Sequence, residues 1–317
     1  MCSKRETLRM NDNVWFATSA LPAPGESTLV YGHRGAMAYA PQNTVPSFEL
    51  AWEMKAHGIE LDVQCSRDGV PVVFHDDTLD RLTDGTGAVS SLDLDDLRRL
   101  DAGSRFSARF AGERIPLLAT ILRSRPAGTY VNIEIKTALP SDPPWRQLVR
   151  PVAGHPVLSV REDGERELAV RVLVERTEAC IRDVSRLVPE LPAWLIVSSF
   201  DPAALQFFRK LRQDIPLAFL HSPSLSFDTR PAMRCIPHQA WHPLRTEASR
   251  KSVVLAHHRG RLVNCWTVNT RLQALALVRC GVDGLITNRP DVLLRVLEEP
   301  CLSREEKIGK EPILPAR

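Results

Sequence analysis

The sequence predicts an α/β fold, and within that class a closed (β/α)8 TIM barrel with a small insertion after the second barrel strand. Two observations carry the prediction. About eight short β-like runs alternate with helical stretches along the 317 residues, the pattern of parallel strands joined by helical crossovers. In addition, Ile59-Glu60-Leu61-Asp62-Val63-Gln64 and Val131-Asn132-Ile133-Glu134-Ile135-Lys136 alternate apolar and polar residues strictly, so that as strands each carries its polar groups on one face. In such folds both sheet faces are covered, and the polar face is a place for chemistry. A doubly wound open sheet is the alternative, but the chain has no Gly-rich dinucleotide loop.

Residues 1–28 form a polar N-terminal extension, and Thr28 to Tyr31 is the first strand, ending at Gly32-His33-Arg34-Gly35. Asn43-Thr44 opens an amphipathic helix that runs through Lys55. Gly58 breaks it, Ile59 to Cys65 is the second strand, and Pro71 to Phe74 is an apolar run that delivers His75-Asp76-Asp77. From Thr78 to Glu113 the pattern loosens, with turn signals at Asp84-Gly85 and Thr86-Gly87 and one short helix from Leu94 to Leu100; this is the insertion, set over one end of the fold. Leu117 to Arg123 is helical and Thr129 to Ile135 is a strand. After a Pro-rich approach at Pro140 to Trp145, a long helix covers Glu165 to Leu187. Strands follow at Trp194 to Ser198, Pro216 to Leu220, Pro237 to Trp241, Leu262 to Val268 and Asp283 to Thr287. Helices at Asp201 to Arg212, Glu247 to His258, Arg271 to Arg279 and Asp291 to Leu297 come after the first, third, fourth and fifth of these. The barrel thus spans 29–298, and the charged, Pro-containing residues 299–317 form a mobile tail.

Composition is that of an ordinary globular protein with a sizeable core. The net charge is +3, with 41 Lys and Arg scattered among 38 Asp and Glu, which leaves no electrostatic footprint for nucleic acid. The Arg-rich segment from Arg161 to Arg186 is interleaved with acids and reads as a solvated helix face. Residues 1–26 lack a continuous apolar stretch, and no window reaches the roughly 18 apolar residues of a membrane span. The expectation is a cytoplasmic protein without an integral membrane segment. Seven cysteines (Cys2, Cys65, Cys180, Cys235, Cys265, Cys280 and Cys301) are an odd number without a C-x-x-C pair, and are expected as buried free thiols in a reducing compartment.

Glu60, Asp62 and Glu134 are three hard oxygen donors. Buried together and uncompensated they would be too costly, so a divalent cation is their natural counter-charge. Two residues apart on one strand, Glu60 and Asp62 have Cβ atoms about 6 to 7 Å apart, a span that their side chains can close around one ion. An all-carboxylate set admits Mg2+ or Ca2+, and Mn2+ as well.

Together, His33-Arg34-Gly35, Pro41-Gln42-Asn43-Thr44, Glu60-x-Asp62, the run from Asp68 through His75-Asp76, and Asn132-x-Glu134-x-Lys136 resemble the glycerophosphodiester phosphodiesterase family. Val197-Ser198-Ser199-Phe200-Asp201, Trp266-Thr267-Val268-Asn269 and Gly281 through Pro290 look like that family's later strands, so the resemblance covers roughly residues 29–298. It implies the barrel, a divalent metal, and hydrolysis of a small-molecule glycerophosphodiester to an alcohol and sn-glycerol 3-phosphate. Position by position it implies Glu60, Asp62 and Glu134 as metal ligands, His33 and His75 as the general acid/base pair, and Arg34 and Lys136 as substrate-binding residues. The types suit the reaction: a cation neutralises phosphoryl oxygens, histidine titrates near neutral pH, and Arg and Lys add positive charge beside a phosphate.

Which histidine is acid and which is base stays open, as does the nucleophile, water or the substrate's own hydroxyl. Trp266, at the end of a late strand, is either core or a wall of the glycerol pocket. His242, His257 and His258 are read as surface or helix residues, with His242 the one that could reach a pocket rim. At two places the chain leaves the family pattern: Gln42 and Ala119 stand where Glu is common, each removing a negative charge. Two rival functions follow, lysophospholipase D-type hydrolysis of lysophospholipids and a phosphate-ester-binding barrel without turnover. Oligomeric state is not legible.

Overall fold

The structure, a computed structural model, describes residues 20–137, 149–152, 155–158, 164–221, 233 and 236–299. Its strands in chain order are β1 (Leu29–His33), β2 (Gly58–Cys65), β3 (Pro71–Val73), β4 (Tyr130–Ile135), β5 (Val149–Val152), β6 (His155–Leu158), β7 (Leu195–Ser199), β8 (Leu217–His221), β9 (Ala240–Pro243), β10 (Leu262–Cys265) and β11 (Gly284–Thr287). The helices are α1 (Val45–Glu53), α2 (Leu94–Leu97), α3 (Leu118–Ser124), α4 (Gly164–Ser185), α5 (Pro202–Leu211), α6 (Arg250–His257), α7 (Arg271–Cys280) and α8 (Pro290–Leu297).

Eight strands pair in parallel in the order β1, β2, β4, β7, β8, β9, β10, β11, and β11 pairs back onto β1 through Leu29↔Gly284 and Tyr31↔Ile286. The barrel is closed. β3 lies antiparallel on β2, and β5 and β6 form a separate antiparallel hairpin. Outward residues of the two alternating strands, Ile59, Leu61, Val63, Val131, Ile133 and Ile135, join one apolar cluster with residues of α1, α3, α4 and α5. That burial holds the helices on the barrel and turns the other face of β2 and β4 inward.

The pairings place the inward side chains. Followed strand to strand, the register returns to β1 displaced by about eight residues, the shear of an eight-stranded barrel, so inward residues stack in layers of four drawn from alternate strands. The layers rise from Gly58, Ile196, Ala240 and Gly284, through Tyr31, Asn132, Ala218 and Asn264, to Glu60, Ser198, His242 and Ile286. His33, Glu134, Leu220 and Trp266 make the uppermost layer, with Asp62 above it. Gly58 has to be small: a Cβ there would come within 2.8 Å of the Tyr31 ring.

The insertion has a core of its own, in which Leu79, Val89, Leu97, Ala102 and Ile115 pack on Val72 and Phe74. Asp101 ties its loop: Oδ1 accepts from the N–H groups of Gly103 and Ser104 and Oδ2 from Gly112, each at 2.8 Å. These bonds hold its carboxyl down at about 2.

Several boundaries differ from the sequence reading. α2 ends at Leu97, β9 begins at Ala240 rather than Pro237, and the β5–β6 hairpin was not expected, since Pro151 and Pro156 weaken its strand signal. The Pro-rich approach at 140–145, residues 1–19 of the extension and residues 300–317 of the tail lie outside the described residues. Of the four described cysteines, Cys265 is buried and Cys65, Cys180 and Cys280 are half-buried at the margins of apolar clusters; Cys2, Cys235 and Cys301 lie outside the description. Burial still pushes the Cys65 thiol up to about 12. No helix among the described residues is long and apolar enough to cross a membrane.

Candidate active site

The top of the barrel is organised by the loop from β1 to α1. Arg34 has φ 51° and Gly35 φ 84°, so two successive left-handed residues turn the chain back over the barrel mouth. The turn aims Arg34 inward: its N–H donates to Glu60 Oε2 at 3.0 Å, its Nε lies 3.1 Å from Asp62 Oδ2, and its Nη1 donates to Gln42 Oε1 at 2.5 Å. Asn43, also left-handed at φ 58°, donates its N–H to the Arg34 carbonyl and its Nδ2 to Asp62 Oδ2 at 2.8 Å.

Parallel pairing of β2 with β4 sets Asp62 directly beside Glu134 and Glu60 beside Asn132. One oxygen from each of Glu60, Asp62 and Glu134 falls within 4.8 Å of the others. Glu60 and Asp62 are 3% and 0% exposed, yet Glu60 Oε1 and Asp62 Oδ1 have no hydrogen-bond partner among the described residues. Lys136 Nζ is 3.0 Å from Glu134 Oε1 and 3.9 Å from Asp62 Oδ1. Three carboxylates thus face two cations, Arg34 and Lys136, and the orphaned oxygens are what a divalent ion's shell would use.

The electrostatics agree with that deficit. Burial, then the charges of Asp62 and Glu134, push the Glu60 carboxyl well above the usual carboxylate range. Burial also raises Glu134, against the pull of Lys136. At Asp62 burial pushes up as well, but Arg34, Lys136, His75 and the Asn43 hydrogen bond outweigh it and hold the group low.

His33 and His75 come to the site from the ends of β1 and β3. His33 Nδ1 lies 2.7 Å from Asn288 Oδ1, an oxygen that can only accept, so the ring proton sits on Nδ1 and Nε2 is left 4.0 Å from Glu60 Oε2. Asn288 donates its own N–H to Asn269 Oδ1. Burial, with Arg34 beside it, pushes His33 down to about 3. His75 Nδ1 instead meets a carboxylate, Asp76 Oδ1, at 2.7 Å. Arg81 grips that carboxylate with Nε at 2.7 Å from Oδ2 and Nη2 at 2.8 Å from Oδ1. Gln64, the third polar residue of the β2 alternation, donates Nε2 to the carbonyls of Phe74 and Asp76 and so pins the backbone that carries His75.

These groups line a cavity of about 200 Å³. One half is polar, from His33, Arg34, Glu60, His75, Asn132, Glu134 and Lys136; the other is Phe200, Leu220, Trp266 and Ile286. Of the eight residues expected from sequence, seven line this cavity, and Asp62 is wholly buried against it. Trp266 is a wall: its Nε1 donates to the His242 carbonyl at 2.8 Å, and its ring meets Phe200 edge-on at 5.5 Å.

His242 is the correction. It is neither a surface nor a helix residue but an inward position of β9, 0% exposed, with Nε2 2.9 Å from Asn264 Nδ2. Its direction is set by register with β8 and β10, which its own neighbours in sequence do not reveal. His257 lies on α6 against Asp283, and His258 is exposed at that helix's C-terminus. Gln42 keeps the contact with Arg34 as a neutral acceptor, while Ala119 is half-buried against the large apolar cluster and does not line the cavity. Sequence reasoning gave no role to Asn43, Gln64, Asp76, Arg81, Phe200 or Asn288. All but Arg81 had a signal: Asn43, Asp76, Phe200 and Asn288 stand inside quoted motifs and Gln64 in the alternating strand.

Over residues 33–292 the chain matches the model of the Glycerophosphoryl diester phosphodiesterase family. It is 33% identical over 269 residues to the protein YhdW of Bacillus subtilis (strain 168), covering 84% of this chain and 96% of that one. It is 30% identical to the glycerophosphodiester phosphodiesterase of Caldanaerobacter subterraneus subsp. tengcongensis, covering 86% and 98%. A solved structure of an Oleispira antarctica phosphodiesterase, in complex with the product sn-glycerol-3-phosphate, shares the fold at TM-score 0.68 and 24% identity, covering 86% of this chain and 98% of that one.

Proposed function

The chain belongs to the glycerophosphoryl diester phosphodiesterase family, and from that premise we propose that it is a phosphoric diester hydrolase that cleaves glycerophosphodiesters to an alcohol and sn-glycerol 3-phosphate. The observation that carries the reading is one site in which three buried carboxylates, two of them with an unpartnered oxygen, are faced by two imidazoles held in defined tautomers. Glu60, Asp62 and Glu134 would hold a divalent cation, Mg2+ or Ca2+, with Mn2+ also compatible. When bound, that ion supplies Lewis-acid charge to the phosphoryl oxygens.

The protein's own groups divide the remaining work. Arg34 and Lys136 present positive charge where the diester's anionic oxygens lie. His33, with Nδ1–H fixed on Asn288, offers the Nε2 lone pair to an attacking hydroxyl, from water or from the diester's own glycerol. As the new P–O bond forms, that hydroxyl's proton passes to His33 Nε2. The bond from phosphorus to the leaving alkoxide breaks as His75 Nε2 gives it a proton; with water as nucleophile this frees sn-glycerol 3-phosphate directly, and with the glycerol hydroxyl it leaves a cyclic phosphate that water then opens, the two histidines exchanging roles. The Asp76 carboxylate, oriented by Arg81, stabilises positive charge on the His75 ring and suits it to the acid role. Phe200, Leu220 and Trp266 bear on the carbon face of the glycerol unit.

A cavity of about 200 Å³ suits a compact polar diester such as glycerophosphocholine better than a lysophospholipid with its acyl chain. The test is release of sn-glycerol 3-phosphate from glycerophosphocholine by metal-stripped protein, repeated with Mg2+, Ca2+ or Mn2+ restored and with Glu60→Ala as control. Metal-dependent release, lost in the variant, is expected. No release with any metal would overturn the reading, and hydrolysis of lysophosphatidylcholine instead would move the substrate to lipids.

A further inference from the structure

We infer that the barrel layer of Glu60, Ser198 and His242 and the layer of Asn132 beneath it enclose ordered water bound by Asn132, Ser198 and His242, and that this water supports Glu60 from within the barrel. The second half rests on Glu60 being a metal ligand, as proposed above.

The observation is a set of orphaned polar atoms. Asn132 Nδ2 and Oδ1, Ser198 Oγ, His242 Nδ1 and Glu60 Oε1 are all buried, and none has a hydrogen-bond partner among the described residues. They are not scattered. The register places Asn132 in the layer with Tyr31, Ala218 and Asn264, and places Glu60, Ser198 and His242 together in the next layer up. In most barrels of this kind those layers are filled by branched apolar side chains, which need no partners. Here Ala218 and Ser198 are small, and Asn132 forms part of the floor of the open cavity above.

The donor and acceptor balance also fits water. Asn264 Nδ2 can only donate, so its 2.9 Å contact makes His242 Nε2 the acceptor and places the ring proton on Nδ1. Burial keeps that ring neutral. His242 Nδ1–H is therefore a fixed donor pointing into the barrel. Glu60 Oε1 is an acceptor in the same layer, and Ser198 Oγ and the Asn132 amide can each both give and take. Buried waters make about three hydrogen bonds, in polar sites where protein groups lack partners, and this belt offers such a set. By that route His242 and Ser198 are positioning residues for Glu60, acting on the metal site through water rather than by contact.

The test begins with a crystal structure of the metal-free wild-type protein at about 1.5 Å. Water density within hydrogen-bond distance of at least two of Asn132, Ser198 and His242 is expected; side chains that pair directly with one another around a dry belt would overturn the inference. Calorimetric titration with Mn2+ then compares wild type with Ser198→Ala and His242→Leu. Outer partners of metal ligands are typically worth about 10- to 100-fold in affinity, and a water-mediated partner should fall at the lower end, so about a 10-fold weaker Kd is expected for each variant. The Ser198→Ala change is small enough to keep the fold should His242→Leu disturb it. A wet belt with unchanged Mn2+ affinity would refute the support of Glu60. If the wild type binds no Mn2+ while the belt is wet, the metal assignment fails and the water site stands.

Discussion

Asp76→Asn removes the charge that stands behind the proposed acid, His75, without changing the side chain's shape. Asp76 Oδ1 lies 2.7 Å from His75 Nδ1, and both carboxylate oxygens are gripped by Arg81 at 2.7 and 2.8 Å. Arg81 acts on Asp76, lowering its carboxyl against the opposing effect of burial, so the charge is present throughout the neutral range. A hydrogen bond to a charged group is worth about 1.5–3 kcal/mol. The side chains of His75 and Asp76 are 28% and 18% exposed, and solvent screening of this kind leaves the lower part of that range, about 1.5–2 kcal/mol. If the whole of it acts on the transition state, kcat falls about 10- to 30-fold at 25 °C. KM and Mn2+ affinity should stay within about two-fold, because the carboxylate touches neither the cavity's metal ligands nor its apolar wall. Arg81→Ala, which frees Asp76 but leaves its charge, should cost less, about 3- to 10-fold. The assay is steady-state release of sn-glycerol 3-phosphate from glycerophosphocholine, with Mn2+ binding measured on the same preparations. Wild-type kcat in Asp76→Asn, or a loss that merely parallels a loss of metal binding, would refute the assigned role.

Three further outcomes are expected. In metal-free protein the raised carboxyls of Glu60 and Glu134 contribute stability that is fully present below the unfolded carboxylate pKa and is lost as pH rises through their higher folded values. Added Ca2+ displaces those protons, so the Ca2+-induced rise in Tm should grow with pH across that window, and a shift independent of pH would count against the three carboxylates as ligands. Asn43→Ala removes a 2.8 Å donor to Asp62 and forces a Cβ-bearing residue without a local hydrogen bond to φ 58°; urea denaturation should show a loss of about 3 kcal/mol, of which Asn43→Gly restores about 1. Equal losses for Ala and Gly would remove the backbone part of this account. Asp101 has a depressed carboxyl, so its contribution is present above the unfolded pKa and disappears as pH falls through about 2. Asp101→Ala should therefore speed proteolysis of the 101–113 loop at neutral pH while cleavage by pepsin near pH 2 differs little from wild type; equal rates at neutral pH would show that the loop is held by other contacts.

The barrel and the three-carboxylate cluster were legible in the chain because a strand's side chains alternate with period two whatever surrounds it. From Ile59 to Gln64 in β2 and from Val131 to Ile135 in β4 every second residue is polar and every other one a branched apolar residue, and those outward residues are the ones that pack under the helices. His33 and His75, at the ends of β1 and β3, were named only through the resemblance of the joined motifs to a family, since a histidine beside a glycine or an acid has no signal of its own. His242 could be placed by neither route. Ala240-Trp241-His242-Pro243 carries no clean alternation, and what turns the imidazole inward is the pairing of β9 with β8 and β10, strands that lie about 20 residues away on either side. The clamp of Arg81 on Asp76 was equally hidden, since oppositely charged residues five apart in a turn-rich segment read as an ordinary surface pair. Residue types, local periodicity and the order of the motifs, properties of the chain itself, thus determined the fold class, the cluster of three carboxylates and, through the family resemblance, the two histidines. Tertiary structure alone decided which tautomer each histidine holds, what charge stands behind it, and which buried polar groups are left without a partner, because each of these depends on the register and shear that bring distant strands to one height in the barrel.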